Sequence, residues 1–179
     1  VIDEEGYRAN VGIILINPNA TRVFWARRIR QRSWQFPQGG LNVGDQALSA
    51  LYRELHEEVG LLPQDVEILS ATKGWFKYRL PPHLLRPKTP HYVGQKQKWF
   101  LLKLLAPESK INFRTTNDPE FDGWSWVDYW HPLSQVIPFK RHVYRKALEM
   151  FHPIVSKERA LKKGLTSGRK KDKMHTLRR

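Results

Sequence analysis

The alternation of apolar and polar positions divides the chain into short strands and two helices. Val11 to Ile16 is wholly apolar and rich in β-branched residues, which predicts a buried strand. Asn17-Pro18-Asn19 predicts a turn, and Val23 to Arg28 reads as the partner strand of a hairpin. Gln31 to Phe36 is polar and aromatic, and Pro37 ends any helix or central strand there. Leu48, Leu51 and Leu55, spaced i, i+3, i+7, predict the apolar stripe of a helix. Asp45 is placed to cap its first amide groups, and Gly60 to stop it. Val66 to Thr72 and Trp75 to Leu80 predict two more strands, the second with one wet face. Residues 81–93 carry four prolines and predict a loop long enough to be functional.

Gly94 to Leu105 is the strongest strand of the second half, with Lys96 and Lys98 two apart on one face. Trp124, Trp126 and Val127 mark a further strand. Lys140 to Phe151 predicts a second helix, with Val143, Ala147 and Met150 or Phe151 inside. Its exposed side is expected to be basic, through Lys140, Arg141, Arg145 and Lys146. Trp34, Trp99, Trp124 and Trp126 are read as core. Strands on both sides of the first helix predict a mixed α/β fold. After Ser156 the chain is lysine-rich with glycine and serine, so disorder is expected there.

Composition narrows the classes of function. The 179 residues bound one domain with a tail, and 40% hydrophobic residues with 12% aromatics support a sizeable core. With no cysteine the chain has no disulfide framework and no thiolate metal site, which suits a reducing compartment. No apolar run approaches the roughly 18 residues of a membrane span, and the acidic start VIDEEGYR lacks a signal-peptide pattern. The cytoplasm is therefore the expected location, with no membrane partner. Net charge is +14; residues 156–179 hold ten Lys and Arg against two Asp and Glu, a net +8, which leaves +6 on the body. Both parts favour a polyanionic partner, nucleic acid ahead of a membrane surface.

The chemistry is densest from Gly39 to Leu61, GGLNVGDQALSALYRELHEEVGL. Glu54, Glu57 and Glu58 stand at i, i+3 and i+4, which share one face of a helix. Like charges so placed repel, and a plain helix gains nothing from them. A hard divalent cation with oxygen ligands makes them useful. Gly39, Gly40 and Gly44 give the entry loop the freedom to bring backbone close to a phosphate or metal.

This stretch resembles the signature of the Nudix hydrolases, G-x5-E-x7-R-E-U-x-E-E-x-G-U with U a bulky aliphatic residue. Gly39, Arg53, Glu54, Glu57, Glu58 and Gly60 match it, and Asp45 stands where the family has its first Glu. The resemblance implies the family's α/β/α sandwich with a mixed central sheet, over residues 6–151, followed by a basic tail, 152–179. It also implies hydrolysis of a nucleoside diphosphate linked to another group, with a divalent metal, Mg2+ first and Mn2+ as the alternative. Glu57 and Glu58 are then expected to hold metal, and Glu54 either a metal or the general base. Arg53 is expected to orient the glutamates, a backbone carbonyl of Gln38 or Gly39 to complete the metal shell, and Glu120 to add a carboxylate from outside the signature.

SWQFPQGG, GQKQKWF and PEFDGWSWV, with GYRANVG and FKRHVYRKAL near the two ends, look like the branch that contains bacterial RNA pyrophosphohydrolase. The same branch includes diadenosine tetraphosphate hydrolases. That resemblance implies trimming of a 5′-triphosphorylated RNA to its 5′-monophosphate with release of pyrophosphate, which promotes mRNA decay. Dinucleoside polyphosphates are the rival substrates, and a non-catalytic RNA-binding module is the rival from another class. Arg8, Arg28, Lys96 and Lys98 are the candidate phosphate ligands, and Tyr78 is placed to offer its hydroxyl. Phe139 beside Lys140 and Arg141 forms a stacking surface next to cations, as single-stranded nucleic acid requires.

Overall fold

The computed structural model describes residues 1–85 and 92–175, with side-chain surroundings described as far as residue 165. Eight strands run β1 (Tyr7–Ile16), β2 (Arg22–Arg28), β3 (Trp34–Gln35), β4 (Gln38–Gly40), β5 (Val66–Ala71), β6 (Phe76–Arg79), β7 (Gly94–Leu104) and β8 (Phe121–Asp128). Among the described residues the α-helices are α1 (Ala47–Val59), α2 (His131–Gln135) and α3 (Arg141–His175), with short 3-10 turns between elements. The sheet has the main order β3-β2-β1-β7-β5, with β4 added beside β1, β6 beside β7 and β8 beside β2. β1 and β7 pair in parallel over ten residues while the other ladders are antiparallel, so the sheet is mixed.

Each face of the sheet carries its own core. Ile14, Trp99 and Leu101 face Val143, Tyr144, Ala147 and Phe151 of α3. On the other face Val11, Ile13, Leu15 and Leu102 join Leu51, Leu55 and Val59 of α1. Alternate residues of a strand point to opposite faces, so β1 and β7 each serve both layers. This is the α/β/α sandwich with a mixed sheet that the sequence led us to expect.

Four local expectations change. Leu48 is exposed, and α1 is seated instead by Ala50, Leu51, Leu55 and Val59. Asp45 does not cap α1: Gln46 occupies that position, while Asp45 accepts from the Asn42 amide and from Arg53. Lys140 is buried, because the chain bends at Pro138 ahead of α3 and turns its side chain inward. Finally, the segment expected to be a disordered tail continues α3 to His175. Val155 extends the Val143, Ala147, Phe151 stripe into the core, Glu158 pairs with Lys103 and Arg159 donates to the Ala20 carbonyl. Of the tryptophans read as core, Trp99 is fully buried, whereas Trp34, Trp124 and Trp126 cover the core from its edge. In the proline-rich loop, residues 86–91 lie outside the described residues.

Candidate active site

The loop into α1 and the helix itself present the carboxylates. Gly60 takes the left-handed conformation at φ 79° and donates its N–H to the His56 carbonyl, which ends α1 directly after the acidic turn. Beneath α1 lies β4. Ile13 N–H donates to the Pro37 carbonyl and Leu41 N–H to the Ala9 carbonyl. With Val11 opposite Gly39, this register puts Gln38 and Gly40 at the positions whose backbone groups point away from β1. Gln38 N–H accordingly donates to Glu58 Oε2 at 3.0 Å, and the Gly40 carbonyl accepts from Arg53 Nη2 at 2.7 Å. Of the two candidate carbonyl donors, Gln38 therefore faces outward, and Gly39 is engaged with β1.

Gly39 has a steric reason to be glycine. A Cβ there would lie 1.8 Å from the Glu54 carboxyl carbon. Arg53 ties the turn together: it bonds Asp45 at 2.5 Å and stands 3.6 Å from Glu54. The hydrogen bond from Arg53 holds the Asp45 carboxyl below its usual range. The shorter acid thus reaches the same arginine, and the departure from the family pattern at position 45 leaves that tie intact.

The glutamates differ in setting. Glu57 is exposed. Burial, then the Glu57 charge, pushes the Glu54 carboxyl up to about 7. Burial, then the Glu54 charge, raises Glu58 well above the carboxylate range, and Glu120 adds to the effect. Neighbouring negative charge thus hinders the ionisation of Glu54 and of Glu58. Among the described residues no three acidic or histidine side chains are grouped closely enough to hold a metal ion. The donor chemistry nevertheless fits a hard divalent cation: the donors are all oxygen, and two are partly desolvated carboxyls whose charged forms lack compensation.

On the α3 side of the sheet a cavity of about 470 Å³ opens beside Glu58 and Glu120. Arg8 from β1, Arg28 from β2, Gln95 from β7, and Phe139 and Lys140 ahead of α3 line it. Lys140 Nζ donates to Gln35 and Gln38 Oε1 at 3.2 and 3.3 Å. Gln38 Oε1 also accepts from Gln97 Nε2 at 3.3 Å, and Gln97 reaches Asn10 at 3.1 Å. Burial, then the Arg28 charge, lowers the Lys140 ammonium to about 8. Arg28 Nε lies 2.6 Å from Glu120 Oε1. The proline-rich segment contributes His83 and Leu84 to the same cavity.

The other sequence candidates fall elsewhere. Tyr78 is buried, with its hydroxyl donating to Gln95 Oε1 at 2.6 Å and its ring 5.7 Å from Phe139, so it backs the cavity wall. Lys96 and Lys98 sit on the α1 face, each 5.0 Å from the Trp75 ring, and Lys96 is paired with Asp3 at 2.9 Å. They are not in the cavity wall with Arg8 and Arg28. Sequence reasoning missed Gln35, Gln95 and the Gln38 amide. Strand alternation in GQKQKWF was the available signal, because it puts Gln95 and Gln97 opposite the two lysines.

The NUDIX domain model matches residues 6–150. A protein named RNA pyrophosphohydrolase from Francisella tularensis subsp. mediasiatica is 54% identical over 156 residues, covering 87% of this chain and all of the relative. One of the same name from Hahella chejuensis is 59% identical over 158 residues, covering 88% and 98%. Among solved structures, the E. coli dihydroneopterin triphosphate pyrophosphohydrolase superposes with a TM-score of 0.63 at 21% identity, covering 81% of this chain and 96% of that one. A C. elegans Ap4A hydrolase complex gives 0.54 at 16%, covering 80% and 98%. At these identities the two structures speak for the fold alone. Carried by the family model and by relatives aligned over nearly their whole length, the assignment is plain: this chain belongs to the Nudix hydrolases, enzymes that cleave pyrophosphate bonds and generally use divalent metal ions.

Proposed function

We propose that this protein hydrolyses the 5′-triphosphate of RNA to a 5′-monophosphate and pyrophosphate, promoting decay of the transcript. The observation that carries the reading is one cavity in which Glu58 of α1 and Glu120 meet Arg8, Arg28, Lys140 and the Phe139 ring. A triphosphate has dense negative charge for the cations, and a base beyond it has a face for Phe139. The names of the two curated relatives support the same choice.

Glu54, Glu57, Glu58 and Glu120, with the Gln38 carbonyl, are the residues we assign to hold divalent metal, Mg2+ in the first place and Mn2+ as a substitute. When bound, the ion neutralises phosphate charge and lowers the pKa of an attacking water. The chain's own residues do the remaining work. Arg53 fixes the acidic turn against Asp45 and Gly40. Arg8, Arg28 and Lys140 orient the phosphates, and Phe139 stacks on a base. A carboxylate of the Glu54 and Glu58 pair takes the proton from water, and the coupled charges make that a property of the pair. Catalysis resides in residues 6–151, and we place it in the cytoplasm; no helix among the described residues is long and apolar enough to cross a membrane.

The test sets a short 5′-triphosphate RNA beside diadenosine tetraphosphate at equal concentration with Mg2+, and includes Glu57→Gln. Faster pyrophosphate release from RNA, lost in the variant, is expected. Preferential cleavage of the dinucleotide would move the function to nucleotide clearance. RNA binding in chelator with no turnover in Mg2+ would leave only a binding module.

A further inference from the structure

Glu120 and Arg28 both line the cavity, yet they spend their charges on each other. Arg28 Nε lies 2.6 Å from Glu120 Oε1, and Arg28 Nη1 also engages Gln31 Oε1. The pairing of β2 with β8 explains why the two meet. Its register shifts between Arg27 and Arg28, so that Arg27 lies opposite Gly123 and Arg28 opposite Phe121. A bulge of this kind turns a side chain off its regular direction, and bulges cluster beside active sites. The same irregularity sends Arg27 outward to Asp122 and leaves Arg28 to Glu120.

The backbone at Glu120 is anchored, because Ile29 N–H donates to its carbonyl at 3.0 Å. Only the side chain needs to move for the pair to part. The pair is also partly wet, with the arginine side chain 25% and the glutamate side chain 37% exposed. A partly solvated ion pair contributes little by itself and can yield to a better partner. A phosphate is such a partner for guanidinium, since it offers bidentate acceptance and more charge than one carboxylate. The Glu58 side chain is close enough to feel the Glu120 charge.

We propose that Arg28 is a substrate-operated clasp on Glu120: a phosphate of the 5′ end takes the Arg28 guanidinium, and the freed Glu120 carboxylate turns toward the Glu54 and Glu58 side of the cavity. This rests on the function proposed above and adds an order to it. Glu120 joins the acidic cluster only after an anion occupies the cationic wall. Arg28 is then both a phosphate ligand and a positioning residue for Glu120. Without substrate, the clasp keeps one negative charge away from the Glu54 and Glu58 pair.

The test is a binding cycle in chelator, where turnover is absent. Affinity for a 5′-triphosphate trinucleotide RNA is measured for the wild type, Glu120→Gln, Arg28→Gln and the double variant, with a 5′-hydroxyl trinucleotide as control. Glu120→Gln releases the clasp and is expected to tighten triphosphate binding roughly three- to tenfold in the Arg28 background. It is expected to change nothing in the Arg28→Gln background. An equal gain in both backgrounds would mean that Glu120 repels anions generally, and the clasp would be wrong. No gain in either would also overturn it. If the wild type binds the triphosphate and hydroxyl RNAs alike, the RNA reading itself fails and the clasp with it.

Discussion

The acidic wall of the site comes from little more than one turn of α1, Glu54 to Glu58, whereas the cationic wall draws Arg8, Arg28 and Lys140 from three distant parts of the chain. The acidic wall is local, fixed by helical spacing and by a glycine at either end. The cationic wall is assembled by the sheet and by the turn ahead of α3. They also differ in what burial does. On the acidic side it leaves Glu54 and Glu58 short of compensation. On the cationic side Lys140 is buried but bonded to two glutamines, and Arg28 is paired with Glu120. The acidic wall therefore waits for a cation, and the cationic wall already holds stand-ins for an anion.

Breaking the acidic wall is expected to cost most. Glu58→Gln keeps an acceptor for the Gln38 amide but removes the charge, and kcat is expected to fall about 1,000-fold. Thermal melting without metal is expected to be unchanged or higher, because a partly desolvated carboxylate crowded by like charge is gone. A lower melting temperature would mean that Glu58 is structural. Gly39→Ala approaches the same wall through sterics. The added Cβ must push the Glu54 carboxylate aside, so activity is expected to drop about 100-fold. Stability should change by less than about 1 kcal/mol, since the displaced atoms are the free end of a side chain. Chemical denaturation and turnover, measured together, separate the two effects.

Proton linkage sharpens the comparison further. The Glu54 carboxyl titrates near 4.5 when unperturbed and near 7 in the fold. Between those values the unfolded chain gives up a proton that the folded one keeps, so stability falls as pH rises. For a partly buried group the metal-free protein is expected to lose about 2 kcal/mol from pH 4.5 to pH 7 by this route. Glu54→Gln should flatten that slope in urea titrations at several pH values, and an unchanged slope would assign it to other groups. The cationic wall is expected to give the smallest effect. Lys140→Met should raise KM about tenfold with a lesser change in kcat, as for loss of one charge-assisted contact. In the wild type, affinity for substrate should decline as pH rises through about 8, where the Lys140 ammonium loses its proton. The variant should lack that alkaline decline.

How much of this was legible in the sequence follows the same division. The strands β1, β2, β5, β6, β7 and β8 announce themselves by apolar runs or alternation, and α1 by its spacing and Gly60. The short strands β3 and β4 do not, because two or three residues carry no period. The glutamates of α1 were readable, since residues three or four apart on a helix must be neighbours; the role of Arg53 came from the family resemblance alone, and its partners Asp45 and the Gly40 carbonyl lie in the loop before α1. Lys140 was misjudged for a related reason: helical phase gave its side, but the bend at Pro138 set its direction. Lys96 and Lys98 were grouped with Arg8 and Arg28 by charge alone, and the pleat of β7 sends them to the opposite face.

By itself, then, the sequence determined the acidic turn, the glycines around it, the family, and a chain charged to meet an anion. These depend on spacing within a few residues and on composition, which need no partner element. Only the tertiary structure decided which cations share a cavity with Glu58, that Tyr78 backs the wall instead of facing it, and that Arg28 lies against Glu120. Those depend on strand order, on which face each residue takes, and on a one-residue bulge. A shift of one residue in any ladder would exchange the two faces.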